Sequence, residues 1–131
     1  MPTYSTEFAA GFDLYMPEAG VVCKREAKGH LVGLGFAAEV PTGYVPLLMP
    51  RSGVGAKNGL ALNNTIGVID RDYRGEWLAS FRVHNDIDFF WKAHDRLLQV
   101  LIVPVIQVAL QEVEELNSTD RDTGGFGSTG T

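Results

Sequence analysis

The chain has 131 residues, of which 45% are hydrophobic and 21% charged, and its formal net charge is −5. This length fits one domain, and the composition, with 15 Gly and 6 Pro, indicates a globular protein with many turns. The negative charge argues against a general affinity for the nucleic acid backbone, because such binding needs a basic face.

Turn-forming residues divide the chain into short segments. They stand at residues 17–20, 41–43, 63–64 and 72–75. The last of these turns begins with Asp and ends with Gly, as a type I turn favours. Among the segments between the turns, only residues 51–62 have a pattern that allows a short helix.

Two segments in the second half of the chain predict strands. Residues 77–84 alternate between apolar and polar side chains, a period of two that indicates a half-buried strand. Residues 96–109 are nearly continuous Leu, Val and Ile, as expected of a strand covered on both faces, and Pro104 disfavours a helix there. Residues 105–116 also fit a helical stripe, although we prefer the strand.

Short strands at this spacing predict an all-β domain, which is a sandwich, a jelly roll or a barrel. After residue 116 the composition changes to Ser, Thr, Asp and Gly with one aromatic side chain. Such a segment cannot pack a core of its own. The sequence therefore predicts a β domain over residues 1–116 and a mobile tail over residues 117–131.

The start of the chain and its apolar runs bear on location. Residues 1–12 lack a basic region followed by an apolar stretch, and the longest apolar run, residues 100–106, is too short to span a bilayer. We therefore expect a cytoplasmic protein without a membrane partner. Cys23 is the only cysteine, which excludes an internal disulfide, and we expect it to be buried as a small hydrophobe.

Several segments have groups suited to phosphate chemistry, and each also has a plain structural explanation. The run PRSG at residues 50–53 offers a guanidinium, a hydroxyl and an open backbone N–H, or is an exposed turn. Asp70 ends an apparent buried strand, where its carboxylate suits a general base or caps a turn. Asp13, between large apolar residues, needs a partner or an ion, and Gln99 in the most apolar strand also needs partners. The glycine-rich residues 124–130 are a disordered end or a lid.

Together these segments resemble, in order and spacing, the five motifs of the trimeric dUTPase family. The matching stretches are AGFDLY at residues 10–15, PRSG at 50–53, GVIDRDYRGE at 67–76, DRLLQ at 95–99 and DRDTGGFGSTG at 120–130. The third and fifth stretches are the specific ones. LALNN at residues 60–64 is also similar to the family's uracil-pocket hairpin.

The resemblance implies a distorted jelly-roll β-barrel that assembles as a homotrimer, with a mobile C-terminal arm closing over an active site. It also implies hydrolysis of dUTP to dUMP and pyrophosphate, which limits uracil incorporation into DNA and supplies dUMP for dTMP synthesis. Each active site would lie at a subunit contact. The third motif would come from one chain, the first, second and fourth from another, and the tail from the remaining chain.

The same resemblance assigns roles in the reaction. Asp70 would deprotonate the water that attacks the α-phosphorus. Mg²⁺ would bind the phosphates, with Asp13 holding the ion through a coordinated water. An acidic chain can bind a triphosphate only if its cationic side chains are clustered at one place or a divalent ion bridges the phosphates, and Mg²⁺ would be that ion. Contacts to phosphate oxygens would come from Arg51, Ser52, Gly53 and Gln99.

The remaining implied roles concern the nucleoside and the tail. Asn64 would hydrogen-bond the uracil edge, and Tyr73 would pack against the deoxyribose and so reject UTP. Arg121 and Phe126 would close the tail over the triphosphate and the base. Further phosphate contacts in the tail would come from Gly127, Ser128 and Thr129.

Two positions depart from the family pattern, and two other functions stay open. Asp122 stands where the family usually has glycine, and Trp77 is bulkier than the expected aliphatic residue. A dCTP deaminase shares the fold by resemblance, although the glycine-rich tail fits the hydrolase better. A non-catalytic regulatory protein on the same scaffold is the other alternative, and the presence of Asp70, Gln99 and the full tail speaks against it.

Overall fold

The computed structural model describes residues 1–24 and 29–125. Short strands dominate these ranges, as the apolar patterns predict. In chain order the elements are β1 Phe12–Tyr15, β2 Gly20–Val22, β3 His30–Gly33, β4 Tyr44–Pro50, α1 Ser52–Asn58, β5 Leu60–Leu62, β6 Gly67–Val68, β7 Leu78–Val83, β8 Phe89–Trp91 and β9 Arg96–Pro104. No helix in the described ranges is long and apolar enough to cross a membrane.

The described strands form three antiparallel sheets. The largest has the order β1-β9-β4-β6, the second pairs β2 with β8, and the third has the order β3-β7-β5. The prediction of an all-β, jelly-roll-like fold is confirmed. The expected barrel is not closed within the described residues, because the strands stay in separate sheets that each end in edge strands.

Strand β7 and the residue before it supply much of the core. Trp77, Ala79 and Phe81 are at most 2% exposed, whereas the residues between them are half-buried or exposed. This alternation confirms the half-buried strand predicted for residues 77–84. Trp77 fills core space, with its ring centroid 5.0 Å from that of Phe36.

Strand β9 is shorter than the sequence predicts. Its first half is covered on both faces, since the two adjacent leucines after Arg96 are both buried. The predicted strand over residues 96–109 ends early, at Pro104, because the neighbouring β4 begins at Tyr44, the register partner of Pro104. Residues 105–116 form neither the preferred strand nor the alternative helix, and they are exposed.

Local signals predict the helix correctly and one turn incorrectly. Helix α1 lies within the predicted residues 51–62 and ends at Gly59, whose φ of +69° is a left-handed value that favours glycine. The turn predicted at residues 72–75 forms two residues earlier, where Tyr73 N donates to Asp70 O at 3.1 Å. Asp70 therefore heads this turn.

Cys23 is exposed, so the prediction of a buried thiol is wrong. It directly follows Val22, which is buried at the end of β2. Successive side chains along an extended chain point to opposite faces, so burial of Val22 turns Cys23 outward.

Candidate active site

Asp13 is the one buried charged side chain in the described ranges, at 5% exposure. Its Oδ1 accepts from Arg51 Nε at 3.0 Å. Its Oδ2 accepts from Arg96 Nη1 at 3.1 Å and from Ser5 Oγ at 2.7 Å. These partners offset the cost of taking a carboxylate out of water, so the protein itself supplies the partner that the sequence requires for Asp13.

Strand register brings further predicted residues to the end of β4 where helix α1 begins. Asp13 on β1 stands opposite Gln99 on β9, and Gln99 stands opposite Met49 on β4. Gln99 Nε2 donates to Pro50 O at 3.4 Å. The group is called the Asp13 cluster below and consists of Asp13, Arg51, Arg96 and Gln99.

The first turn of α1 is open beside the Asp13 cluster. Ser52 and Gly53 are exposed, and the N–H groups of the first two residues of a helix have no acceptor within that helix. A Cβ at Gly53 would meet no atom within 4 Å, so an incoming group can reach the backbone there. With the Arg51 side chain 34% exposed, this corner presents a guanidinium, a hydroxyl and backbone donors to an anion.

Asp70 lies after β6, away from the Asp13 cluster. The buried strand expected before it is instead a two-residue edge strand, in which Val68 is 61% exposed. Ile69 N donates to Pro46 O at 3.2 Å, which keeps this segment beside β4. The exposed Asp70 lines a cleft of about 220 Å³ that Tyr73 also lines.

Tyr73 is fixed beside Asp70 by two contacts. Its hydroxyl donates to Glu76 O at 2.9 Å. Its ring lies against Gly75, where a Cβ would overlap the phenol. Because residue 75 is glycine, the Tyr73 ring can lie against it and border the cleft in a fixed position.

Asp70 and the Asp13 cluster lie at opposite ends of β4. Asp70 lines a second cleft together with Val45, near the start of the strand, whereas Gln99 contacts Pro50 at its end. The seven-residue strand is about 20 Å long. One chain therefore brings together the predicted residues of the first, second and fourth stretches, but not Asp70.

Asn64 lies in the turn that joins β5 to β6. Thr65 N donates to Leu62 O at 3.0 Å, and Ile66 N donates to Asn64 O at 2.7 Å. Asn64 itself is exposed, so a ligand can reach it.

The described part of the tail includes Arg121. Its Nε donates to Gly124 O at 3.0 Å, and Gly124 N donates back to Arg121 O at 2.8 Å. Asp122 has a φ of +42°, a left-handed value, so the position where the family usually has glycine has a backbone conformation that suits glycine. The other predicted tail residues, Phe126, Gly127, Ser128 and Thr129, lie outside the described residues.

Two partners of Asp13 have no role in the sequence-based prediction. Arg96 lies in the DRLLQ stretch. Its role could have been predicted, because the buried Asp13 carboxylate requires a cationic partner. Ser5 has no such signal. It reaches Asp13 because Thr3 and Asp13 exchange backbone hydrogen bonds of 3.2 and 2.8 Å.

The described residues contain no preformed cage for a metal ion. Among the described residues, no three His, Cys, Asp or Glu side chains are close enough to hold one. The Asp13 cluster has one carboxylate and two guanidinium groups, so its net positive charge disfavours a bare cation. A carboxylate has about four acceptor sites, and Asp13 has three donors, which leaves room for a metal-bound water. A divalent cation therefore fits together with anionic ligands of its own, such as phosphates.

Comparison with known proteins identifies the family. The family model for dUTPase matches residues 1–130. The chain is 45% identical over 130 residues to the deoxyuridine 5'-triphosphate nucleotidohydrolase of Nautilia profundicola, covering 99% of this chain and 90% of that protein. The chain belongs to the dUTPase family.

Solved structures of dUTPases share the fold. A mutant dUTPase of Staphylococcus bacteriophage 80alpha with dUpNHpp matches with a TM-score of 0.88 at 26% identity, over 100% of this chain and 92% of that chain. A mutant dUTPase from phage phi11 of S. aureus, described for its coordination of a structural Mg(II) ion, matches with a TM-score of 0.76 at 26% identity, over 88% and 90%. The predicted resemblance to the dUTPase family is thereby confirmed.

Proposed function

We propose that the chain hydrolyses dUTP to dUMP and pyrophosphate, which limits uracil incorporation into DNA and supplies dUMP for dTMP synthesis. The observation that carries the proposal is the Arg51 guanidinium, held by buried Asp13 beside the open first turn of α1. This corner suits a polyphosphate. Membership of the dUTPase family supports the choice of substrate.

Asp70 is the general base of the proposed reaction. It takes a proton from a water molecule, and the resulting hydroxide attacks the α-phosphorus. The bond between that phosphorus and the oxygen bridging to the β-phosphate breaks, and pyrophosphate leaves. The exposure of Asp70 in a cleft supports this role, because a base must reach its water directly.

The groups at the start of α1 bind the triphosphate. Donors aimed at phosphate oxygens stabilise the charge that develops in the transition state. When bound, Mg²⁺ would neutralise phosphate charge, and Asp13 would hold it through a coordinated water. The phosphate-binding residues proposed for the described chain are Arg51, Ser52, Gly53 and Gln99.

A homotrimer with shared sites is part of the proposal. Asp70 and the Asp13 cluster lie at opposite ends of a strand about 20 Å long, so the two meet at one substrate only between chains. Ile106, Val108 and Leu110 are 85%, 70% and 93% exposed, and a row of exposed apolar side chains marks an interaction surface. The tail of the remaining chain, residues 117–131, closes over the site.

Product analysis tests the proposed function. The chain is incubated separately with dUTP, UTP, dCTP and dTTP in the presence of Mg²⁺. We expect dUMP and pyrophosphate from dUTP, and little turnover of the others. Ammonia release from dCTP would establish a deaminase instead, and nucleotide binding without turnover would establish a regulatory protein.

The sugar selectivity gives one prediction. Tyr73→Ala should lower the dUTP:UTP ratio of kcat/KM about tenfold, because loss of the ring opens space beside C2′. Tyr73→Phe is the matched control, since it loses the bond to Glu76 O but keeps the ring. An unchanged ratio for Tyr73→Ala would mean that the ribose is rejected elsewhere.

Asp122 gives a second prediction, on substrate affinity. If its carboxylate approaches the phosphates when the tail closes, each pair of unit charges at ~8 Å in water repels by roughly 0.5 kcal/mol. Asp122→Gly should therefore lower KM for dUTP about two- to fivefold, more at low salt, where exposed charges are least screened. Glycine also suits the φ of +42°, but its loose backbone raises the entropy cost of ordering the tail.

Asp122→Asn separates the charge from the backbone effects. It removes the carboxylate and keeps a residue type that tolerates left-handed φ values. A salt-dependent fall in KM for both variants supports repulsion. If KM is unchanged or higher at both low and high ionic strength, Asp122 instead organises the closed tail.

A further inference from the structure

The turn that carries Asn64 is fastened to β7 by the neighbouring Asn63. The Asn63 side-chain Nδ2 donates to Ser80 Oγ at 2.9 Å and to Phe81 O at 3.1 Å. Its main-chain N donates to Ser80 O at 2.9 Å. Gly29 lies so close to the Asn63 amide that a Cβ at this glycine would overlap it. The Asn63 side chain is therefore committed to the protein.

The turn needs an anchor because its backbone is strained. Thr65 has a φ of +65°, a left-handed value that is unfavourable for a β-branched residue. Such a conformation persists where surrounding contacts enforce it. Within the turn, the bond from Thr65 N to Leu62 O is 3.0 Å long. The hydrogen bonds from Asn63 to β7 hold this backbone conformation from outside the turn.

Arg82 reaches the same turn from β7. It stands opposite Ala61 of β5, and its Nη1 donates to Asn63 O at 3.5 Å. Its Nε is buried and has no hydrogen-bond partner within the ranges that the structure describes. A buried unpaired donor is unfavourable. The cost of this unpaired donor must be offset by other contacts of the Arg82 guanidinium. The hydrogen bond to Asn63 O in the turn is one such contact.

We propose that Asn63 and Arg82 are positioning residues for base selection, because they hold the turn from which Asn64 reads the uracil edge. Asn63 belongs to the hairpin stretch LALNN, but neither it nor Arg82 lies in the five motifs, and their role rests on the proposed function. Uracil has a carbonyl acceptor at C4, whereas cytosine has an amino donor there. A side chain that distinguishes these two groups must be held in place. In a flexible turn, the Asn64 amide could rotate to hydrogen-bond either base.

Kinetics of Asn63→Ala with dUTP, dCTP and UTP test this role. We expect KM for dUTP to rise about tenfold through loss of two hydrogen bonds that hold the turn, with kcat changed less than about threefold. The dUTP:dCTP ratio of kcat/KM should fall by about the same tenfold factor. The dUTP:UTP ratio should stay within about twofold, since Tyr73 lies outside the turn. A merely structural role would affect all three substrates alike.

Further variants provide the controls. Arg82→Met should act in the same direction as Asn63→Ala, and Arg82→Lys should recover part of the loss because its ammonium still donates. Asp88→Ala is the matched control, since it removes one loop hydrogen bond elsewhere, from Lys24 N at 3.0 Å. Where Asn63→Ala fails to fold, Ser80→Ala removes a single acceptor of the same side chain.

The outcomes separate the two proposals. A fall in the dUTP:dCTP ratio for Asn63→Ala and Arg82→Met, but not for Asp88→Ala, supports the positioning role. An unchanged ratio in the first two variants, with a wild-type chain that prefers dUTP, overturns the positioning role and leaves the proposed function standing. A wild-type chain without preference for dUTP over dCTP overturns the proposed function and the positioning role with it.

Discussion

Asp70→Asn is expected to lower kcat for dUTP by at least ~10²-fold, the lower range for loss of a general base. The amide has nearly the same shape as the carboxylate, but it cannot take a proton from the attacking water. The fold should survive the exchange, because Asp70 is exposed and its turn is closed by its main-chain oxygen, at 3.1 Å from Tyr73 N. Assembly and nucleotide affinity should therefore stay close to those of the wild-type chain.

Pyrophosphate release and binding of the non-hydrolysable analogue dUpNHpp measure the two parts of this expectation separately. Asp72→Asn is the matched control, since it removes a carboxylate from the same turn. We expect its kcat to stay within about twofold, as for most surface substitutions. Near-normal hydrolysis by Asp70→Asn would remove Asp70 from its role as base.

Mixed trimers are expected to regain activity that neither parent has. One parent is Asp70→Asn, with an intact tail, and the other is a chain truncated after Asn117, with an intact base. If the base and the tail of one site come from different chains, any trimer that contains both parents has one complete site. Random assembly of a 1:1 mixture should then give about a quarter of wild-type activity.

The control for this experiment is the same mixture without subunit exchange, in which each parent is assembled before mixing and assayed at once. Activity should be close to zero there and should rise as the subunits exchange. A mixture that stays inactive after full exchange would mean that base and tail belong to the same chain. A fully active monomer in light scattering would contradict the shared sites altogether.

The sequence predicts those parts of the fold that depend on local pattern. Residues 77–84 alternate in hydrophobicity, and the alternation alone is enough to place Phe81 in the core. Helix α1 lies within residues 51–62, the segment after Pro50 that the sequence allows to be helical, and the structure ends it at Gly59. Each of these signals lies within a single strand or helix and the residues next to it.

The sequence does not predict features that depend on a partner strand. The end of β9 is decided by where β4 begins, at Tyr44, and no residue within residues 105–109 carries that information. The separation of the strands into three sheets depends on pairing between distant segments in the same way.

The candidate site shows the same division between local and long-range information. Motif spacing identifies Asp13, Arg51 and Asp70, but it cannot show that Asp70 lies at the far end of β4 from the other two. That placement follows from the register of β4 with β6 and β9. The contact of Ser5 with Asp13 is not predicted, because no sequence pattern around Ser5 indicates it.

The ion pair between Asp13 and Arg96 also sets a time for folding on the ribosome. The two residues are 83 positions apart in the sequence. At ~5–20 residues per second, Arg96 is made roughly 4–17 s after Asp13. During that interval the nascent chain contains a carboxylate that cannot be buried with both of its guanidinium partners. The Asp13 cluster therefore forms late, after most of the β domain has been synthesised.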